Sequence, residues 1–187
     1  MLRKAKREAI LNILEATYKD TKTALNYNSP FELLIAVILS AQCTDERVNK
    51  ITARIFPRLN TPEKMGALTQ EQMEQEIRDC GLYRAKAKNL LATCKMLVEE
   101  FNSTVPDNIE TLMKLPGVGK KTANVIASII YNVPAIAVDT YVFRVSHRLG
   151  MAKGADPLAT EKELQKAIPK EKWSDAHHWF IWHGRLV

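Results

Sequence analysis

The chain has 187 residues, 46% hydrophobic and 26% charged, with a net charge of +6. That length suits one substantial core or two small ones, and the longest apolar run, Leu33 to Leu39, is far short of the roughly 18 residues of a membrane span. Cys43, Cys80 and Cys94 are too few and too scattered for a disulfide framework. With no signal peptide ahead of Arg3, these features predict a soluble cytoplasmic protein in a reducing interior and exclude a secreted scaffold.

Helical periodicity dominates and no stretch sustains strand alternation, so the predicted fold class is all-α. Arg3, Lys4, Lys6 and Arg7 give the N-terminal helix a basic cluster. Ser29-Pro30 with Glu32 opens a helix running to about Gln42, apolar on every side and therefore expected to cross the middle of a core. Thr61-Pro62, Thr69 with Gln72, Asp156-Pro157 and Ser174 mark further starts, while Gly81 and Gly150 read as helix ends. Residues 23–111 carry 10 basic and 12 acidic side chains, whereas 112–150 carry Lys114, Lys120, Lys121, Arg144 and Arg148 against Asp139 alone. The positive excess lies on that later segment and on the N-terminal helix, as a polyanion footprint requires. The plain alternative is a set of solvated helix lysines.

Leu112 to Ala123 reads L-M-K-L-P-G-V-G-K-K-T-A. Pro116 fixes its own φ, and Gly117 and Gly119 let the chain turn tightly and bring bare amides to the surface at the start of a helix. Amides and helix dipole together make an anion site. A P-loop fails because Lys121 stands where Ser or Thr must follow Gly-Lys and Lys114 occupies the earlier glycine position. A Rossmann turn fails because Thr122 stands at the third glycine and the preceding residues look helical. What remains is helix, Gly-Val-Gly hairpin, helix, which suits one phosphate of a polymer better than a triphosphate. Pro134 breaks the chain after the second helix, and Asp139 begins the next within A-I-A-V-D-T. Taken alone, Lys121 reads as an exposed helix lysine and Asp139 as an N-cap. His177, His178 and His183 could suggest a metal site, but Trp173, Trp179, Ile181 and Trp182 favour an amphipathic core helix.

The hairpin followed by Asp139 resembles the helix-hairpin-helix signature of the endonuclease III family of DNA glycosylases. Ser29 to Val37, Leu39-Ser40-Ala41-Gln42, Gly81-Leu82-Tyr83 and Val138-Asp139-Thr140 are similar to that family as well, so the resemblance covers nearly all of the chain. Lys121 stands at the family's nucleophile position, where relatives that only remove mismatched adenine or thymine resemble Ser or Tyr. The resemblance implies a six-helix barrel over residues 23–133, with the helix-hairpin-helix at about 108–131. Residues 1–22 and 134–187 would form a second helical domain, with a DNA-binding cleft between the two. It further implies Lys121 as nucleophile, Asp139 as the carboxylate beside C1′, and Gly117, Val118, Gly119 and Lys120 against a phosphate. A base inside a duplex must flip out before chemistry, and Gln42 and Leu82 would fill the gap it leaves.

The implied function is a bifunctional N-glycosylase and AP lyase that removes oxidised or ring-damaged pyrimidines from duplex DNA, acting as a monomer on damaged or abasic sites. The alternatives are a non-catalytic DNA-binding module and a monofunctional mismatch glycosylase. Tyr141 departs from the family's usual Thr-His after the carboxylate. The family's four-iron, four-sulfur cluster is held by four C-terminal cysteines; here its ligands would lie beyond Val187, and the three cysteines present lack cluster spacing, so no cofactor is expected of these residues.

Overall fold

In the computed structural model, which describes residues 2–187, all regular structure is helical. In order, the helices are α1 (Lys4–Thr17), α2 (Pro30–Ser40), α3 (Asp45–Ile55), α4 (Pro62–Gly66), α5 (Gln70–Glu76) and α6 (Tyr83–Glu100). They continue with α7 (Ile109–Leu112), α8 (Lys120–Tyr131), α9 (Thr140–Arg148), α10 (Pro157–Ala167), a 3-10 turn at Lys170–Lys172, and α11 (Trp173–Leu186). No strand occurs among the described residues, in keeping with the all-α prediction.

The starts read from sequence have a visible cause. Ser29 Oγ accepts from the Glu32 amide at 3.1 Å while the Glu32 carboxylate accepts from the Asn28 amide, and Thr69 and Gln72 form both halves of a capping box. Thr61 and Asp156 cap α4 and α10 in the same way. Two further caps, Thr44 on α3 and Asn108 on α7, escaped the sequence reading although each accepts from the amide three residues on.

Two punctuation marks need correction. α11 begins at Trp173, so Ser174 lies inside it; the 3-10 turn already occupies the entering amides, Lys172 to Pro169 and Trp173 to Lys170. Gly81 ends no helix, since α5 stops at Glu76 and the left-handed residue is Leu82, which opens α6. Gly150, with φ +69, does follow the end of α9 as expected.

The chain divides into two compact units, Ala24–Ile126, and Met1–Thr23 together with Ala127–Val187. The division falls inside α8, whereas the sequence suggested a break near Pro134. α8 ends because Asn132 turns left-handed, φ +52, and the Val133 amide returns to the Ala127 carbonyl at 3.1 Å. Pro134 lies past that stop rather than causing it.

In the unit Ala24–Ile126, α2 is buried from Phe31 to Leu39, and α3 and α6 pack on it. Each fully buried leucine or isoleucine there contributes on the order of 2 kcal/mol, which is why a helix with no polar face is stable only in this central place. In the other unit, Leu11, Leu14 and Tyr18 of the α1 region pack with Val142 and Val145 of α9 and Trp179 and Phe180 of α11. α11 approaches α9 closely at Gly184, where a Cβ would sit 2.8 Å from Tyr141 Cδ1. The Tyr18 hydroxyl meets His183 Nδ1 at 3.0 Å, and Lys172 pairs with Glu15 at 2.7 Å.

Candidate functional site

The hairpin is built from inside outward. Leu112, Leu115 and Val118 are buried and anchor it, and the Val118 amide closes the turn on the Leu115 carbonyl at 3.0 Å. α6 buttresses the outer turn: Thr93 Oγ1 donates to the Pro116 carbonyl at 2.8 Å, and the Asn89 side chain lies where a Cβ on Gly117 would be, 3.0 Å away. Gly117 has φ +78, a region L-residues avoid. Gly119 differs, since nothing lies within 4 Å of its missing Cβ and its backbone is not left-handed. Nothing inside the unit requires a glycine there, whereas close approach of an outside group would.

The Ala123 amide bonds the Gly119 carbonyl at 2.9 Å and starts α8, whose positive end therefore lies at the hairpin. Lys120 and Lys121 occupy its first turn and are exposed. The Lys121 side chain forms no ion pair or hydrogen bond with any described residue. Gly117, Gly119, Lys120 and Lys121 are thus exposed along one short segment, with buried Val118 between the glycines.

Asp139 belongs to the other unit. Buried Ala135, Ile136, Ala137 and Val138 lead to it, and His177 Nδ1 sits 2.8 Å from the Ala137 carbonyl, fixing that approach. The N-cap alternative is realised: Asp139 Oδ1 accepts from the Val142 amide at 2.8 Å. Its second oxygen has no partner among the described residues, so capping engages only half of the carboxylate.

The segments carrying Gln42 and Leu82 meet although far apart in the chain, because a Cβ on Gly81, the neighbour of Leu82, would lie 3.1 Å from the Gln42 carbonyl oxygen. Both are exposed, Leu82 at 58%, and both are left-handed, with φ +53 and +59. An exposed leucine held in that conformation is costly unless something packs on it. Tyr141 is engaged within its own unit, against Gly184, with the Arg144 and Arg185 guanidinium carbons each 5.7 Å from its ring centre.

The histidines have structural roles. His183 meets Tyr18, His177 holds the Ala137 carbonyl, and burial, with His177 beside it, pushes His178 down to about 4 against the opposing pull of Asp175. Among the described residues no group of three or more His, Cys, Asp or Glu side chains could hold a metal ion. Cys94 is buried and its thiol pushed up to about 12, and the Cys80 thiol is engaged by Leu39 and Lys86, so these cysteines do not fit a four-thiolate cluster. Sequence reading missed Asn89, Thr93 and Lys86. The only signal was polar residues on the face of α6 that also carries Ala87, Leu90 and Leu97.

With fold and site in view, comparison with known proteins is informative. Residues 35–170 match the HhH-GPD superfamily of base excision DNA repair proteins. The chain is 47% identical over 186 residues to Endonuclease III of Haemophilus influenzae and likewise of Escherichia coli K12, covering 100% of this chain and 88% of each relative. Endonuclease III of Bacillus subtilis is 45% identical over 186 residues. A solved structure of a trapped endonuclease III–DNA covalent intermediate superposes with a TM-score of 0.95 at 50% identity, covering 100% of this chain and 88% of that one. A thermostable thymine-DNA glycosylase, at 19% identity and TM-score 0.84, shares the fold.

The chain belongs to the HhH-GPD superfamily of base excision DNA repair proteins. Within it, the full-length matches place the chain in the endonuclease III family, a family of DNA glycosylases and AP lyases.

Proposed function

We infer that this chain removes oxidised or ring-damaged pyrimidines from duplex DNA and then nicks the strand, with Lys121 as the nucleophile. The observation that carries the reading is an exposed, unpartnered amine in the first turn of the hairpin helix of an endonuclease III-family chain. The neutral Lys121 amine attacks C1′ as the base departs with the glycosidic electron pair. The adduct then opens to a Schiff base, and loss of the 2′ proton expels the 3′ phosphate by β-elimination. One residue therefore supplies both activities.

Asp139 would use its uncapped oxygen to stabilise positive charge growing on the sugar and to take a proton from the attacking amine. Gly117 to Lys120 would seat a phosphate on the positive end of α8, with bare Gly119 admitting it closely. Gln42 would face the orphaned base, and Leu82 would wedge into the stack. The unit Ala24–Ile126 would act as the barrel domain and the remainder as the second domain. None of these steps passes through an iron–sulfur cluster.

The test is borohydride trapping on duplex DNA containing an abasic site. Wild-type protein should give a covalent adduct, and Lys121→Ala should give none while retaining DNA binding. A wild-type protein that binds but traps nothing would make the chain a non-catalytic module. Base removal without an adduct would make it a monofunctional glycosylase.

A further inference from the structure

The pair Gln42 and Leu82 raises a mechanical question, because neither side chain is held by regular structure. Gln42 lies just beyond the end of α2, and Leu82 lies in the link from α5 to α6. A wedge forced between stacked bases must resist being pushed back, and an exposed left-handed residue on a free loop would not.

A charged side chain lies beneath them. Lys86 is 5% exposed, and its ammonium group donates to the Leu39 carbonyl at 2.9 Å, the Ala41 carbonyl at 2.6 Å and Cys80 Sγ at 3.1 Å. Its three hydrogens meet three acceptors, two on the segment ending at Gln42 and one on the segment leading to Leu82. The Cys80 thiol itself donates to the Leu39 carbonyl at 3.3 Å, and burial pushes that thiol up, so it remains a donor. Among the described residues no carboxylate pairs with Lys86. Burying an ammonium among neutral partners is costly, and a methionine would fill the same space without that cost. What the charge adds is directed bonds across the junction, reinforced by the negative end of α2.

We propose that Lys86 is a positioning residue whose buried ammonium locks the Gln42 and Leu82 segments together, so that both side chains enter the DNA stack as one rigid wedge. The inference rests on the reading above that these two residues fill the gap. Lys86 touches no reacting atom, and its effect is confined to substrates whose bases must be unstacked.

The test compares one abasic site in two settings, a duplex and a single-stranded oligonucleotide that needs no wedge. Lys86→Met keeps the length of the stem and removes the donors. Its rate of borohydride trapping should fall at least tenfold on the duplex and stay within twofold of wild type on the single strand. In a Gln42→Ala/Leu82→Ala background the same change should add less than twofold, since the wedge is already lost. Equal losses on both substrates, no loss on the duplex, or a full tenfold added in that background would each overturn the proposal. If circular dichroism shows Lys86→Met unfolded, Cys80→Ala removes the far anchor of the ammonium together with the thiol's own bond to the Leu39 carbonyl, leaving the Lys86 bonds to Leu39 and Ala41. It should slow the duplex reaction two- to fivefold and leave the single strand unchanged, and an unchanged duplex rate would overturn the proposal. Wild-type protein that traps neither substrate would mark failure of the nucleophile assignment instead.

Discussion

Asp139 is an N-cap by geometry and a catalytic carboxylate by proposal, and substitution separates the two roles. Its Oδ1 caps α9, and an asparagine in its place still presents an oxygen to the Val142 amide. Asp139→Asn should therefore unfold within about 0.5 kcal/mol of wild type in urea, whereas Asp139→Ala should lose about 1 kcal/mol with its cap. Both should slow base removal by about 100-fold or more in single-turnover kinetics, because neither supplies a carboxylate. If Asp139→Asn retained full activity, the residue would be a cap and nothing else. The two hairpin glycines make a similar pair. Gly117→Ala meets a left-handed backbone and the Asn89 side chain and should lower stability by more than about 1 kcal/mol. Gly119→Ala meets open space and should leave the melting temperature nearly unchanged while weakening DNA binding. The glycine pattern was legible in the sequence, but the difference between its two members was not, because it depends on α6, distant in the chain. Lys86 was illegible for a related reason: burial of a lysine depends on carbonyls that only tertiary packing brings to it.

Helices were legible where their chemistry is local. Ser29, Thr61, Thr69 and Asp156 announce starts because each cap bonds an amide within three residues. The all-apolar face count of α2 foretold its central place. α8 ends at Tyr131, the bound expected for the hairpin motif, but the device that ends it, the left-handed Asn132, is silent in the sequence, while Pro134 is conspicuous and incidental. α11 carries a pH prediction. Folding depresses His178 from its ordinary value to about 4, so the folded state prefers the neutral ring while the unfolded chain protonates near 6.5. Stability should be flat above that ordinary value, fall as pH drops from about 6.5 to about 4, and level off below, a loss of about 3 kcal/mol from this group. Denaturant midpoints across that range measure it, and His178→Gln should flatten the slope. An equally steep decline in that variant would assign the effect to other groups.

At the scale of the whole molecule, charge distribution was the most accessible signal. The net +6 is modest, but residues 112–150 hold five basic side chains against Asp139 alone. Binding that seats about three phosphates should lose affinity with a slope near −3 in log K against log salt. Fluorescence anisotropy between low and moderate salt measures this, and a slope shallower than about −1 would remove the polyanion footprint. Membership of a repair family was legible because hairpin, carboxylate and helix-start motifs recur along the length. How the chain partitions was less so, since compact units are defined by packing and one of them is assembled from both ends of the sequence.

That assembly sets a timetable for synthesis. The Tyr18 hydroxyl waits for a His183 ring 165 positions later, so on a ribosome adding about 5 to 20 residues per second α1 is orphaned for on the order of ten seconds. Until α9 and α11 emerge, Leu11, Leu14 and Tyr18 lack their partners, and every residue of Ala24–Ile126 has been made before either helix begins. The continuous unit should therefore become protease-resistant on stalled nascent chains first, and α1 should be the segment that a holdase chaperone captures.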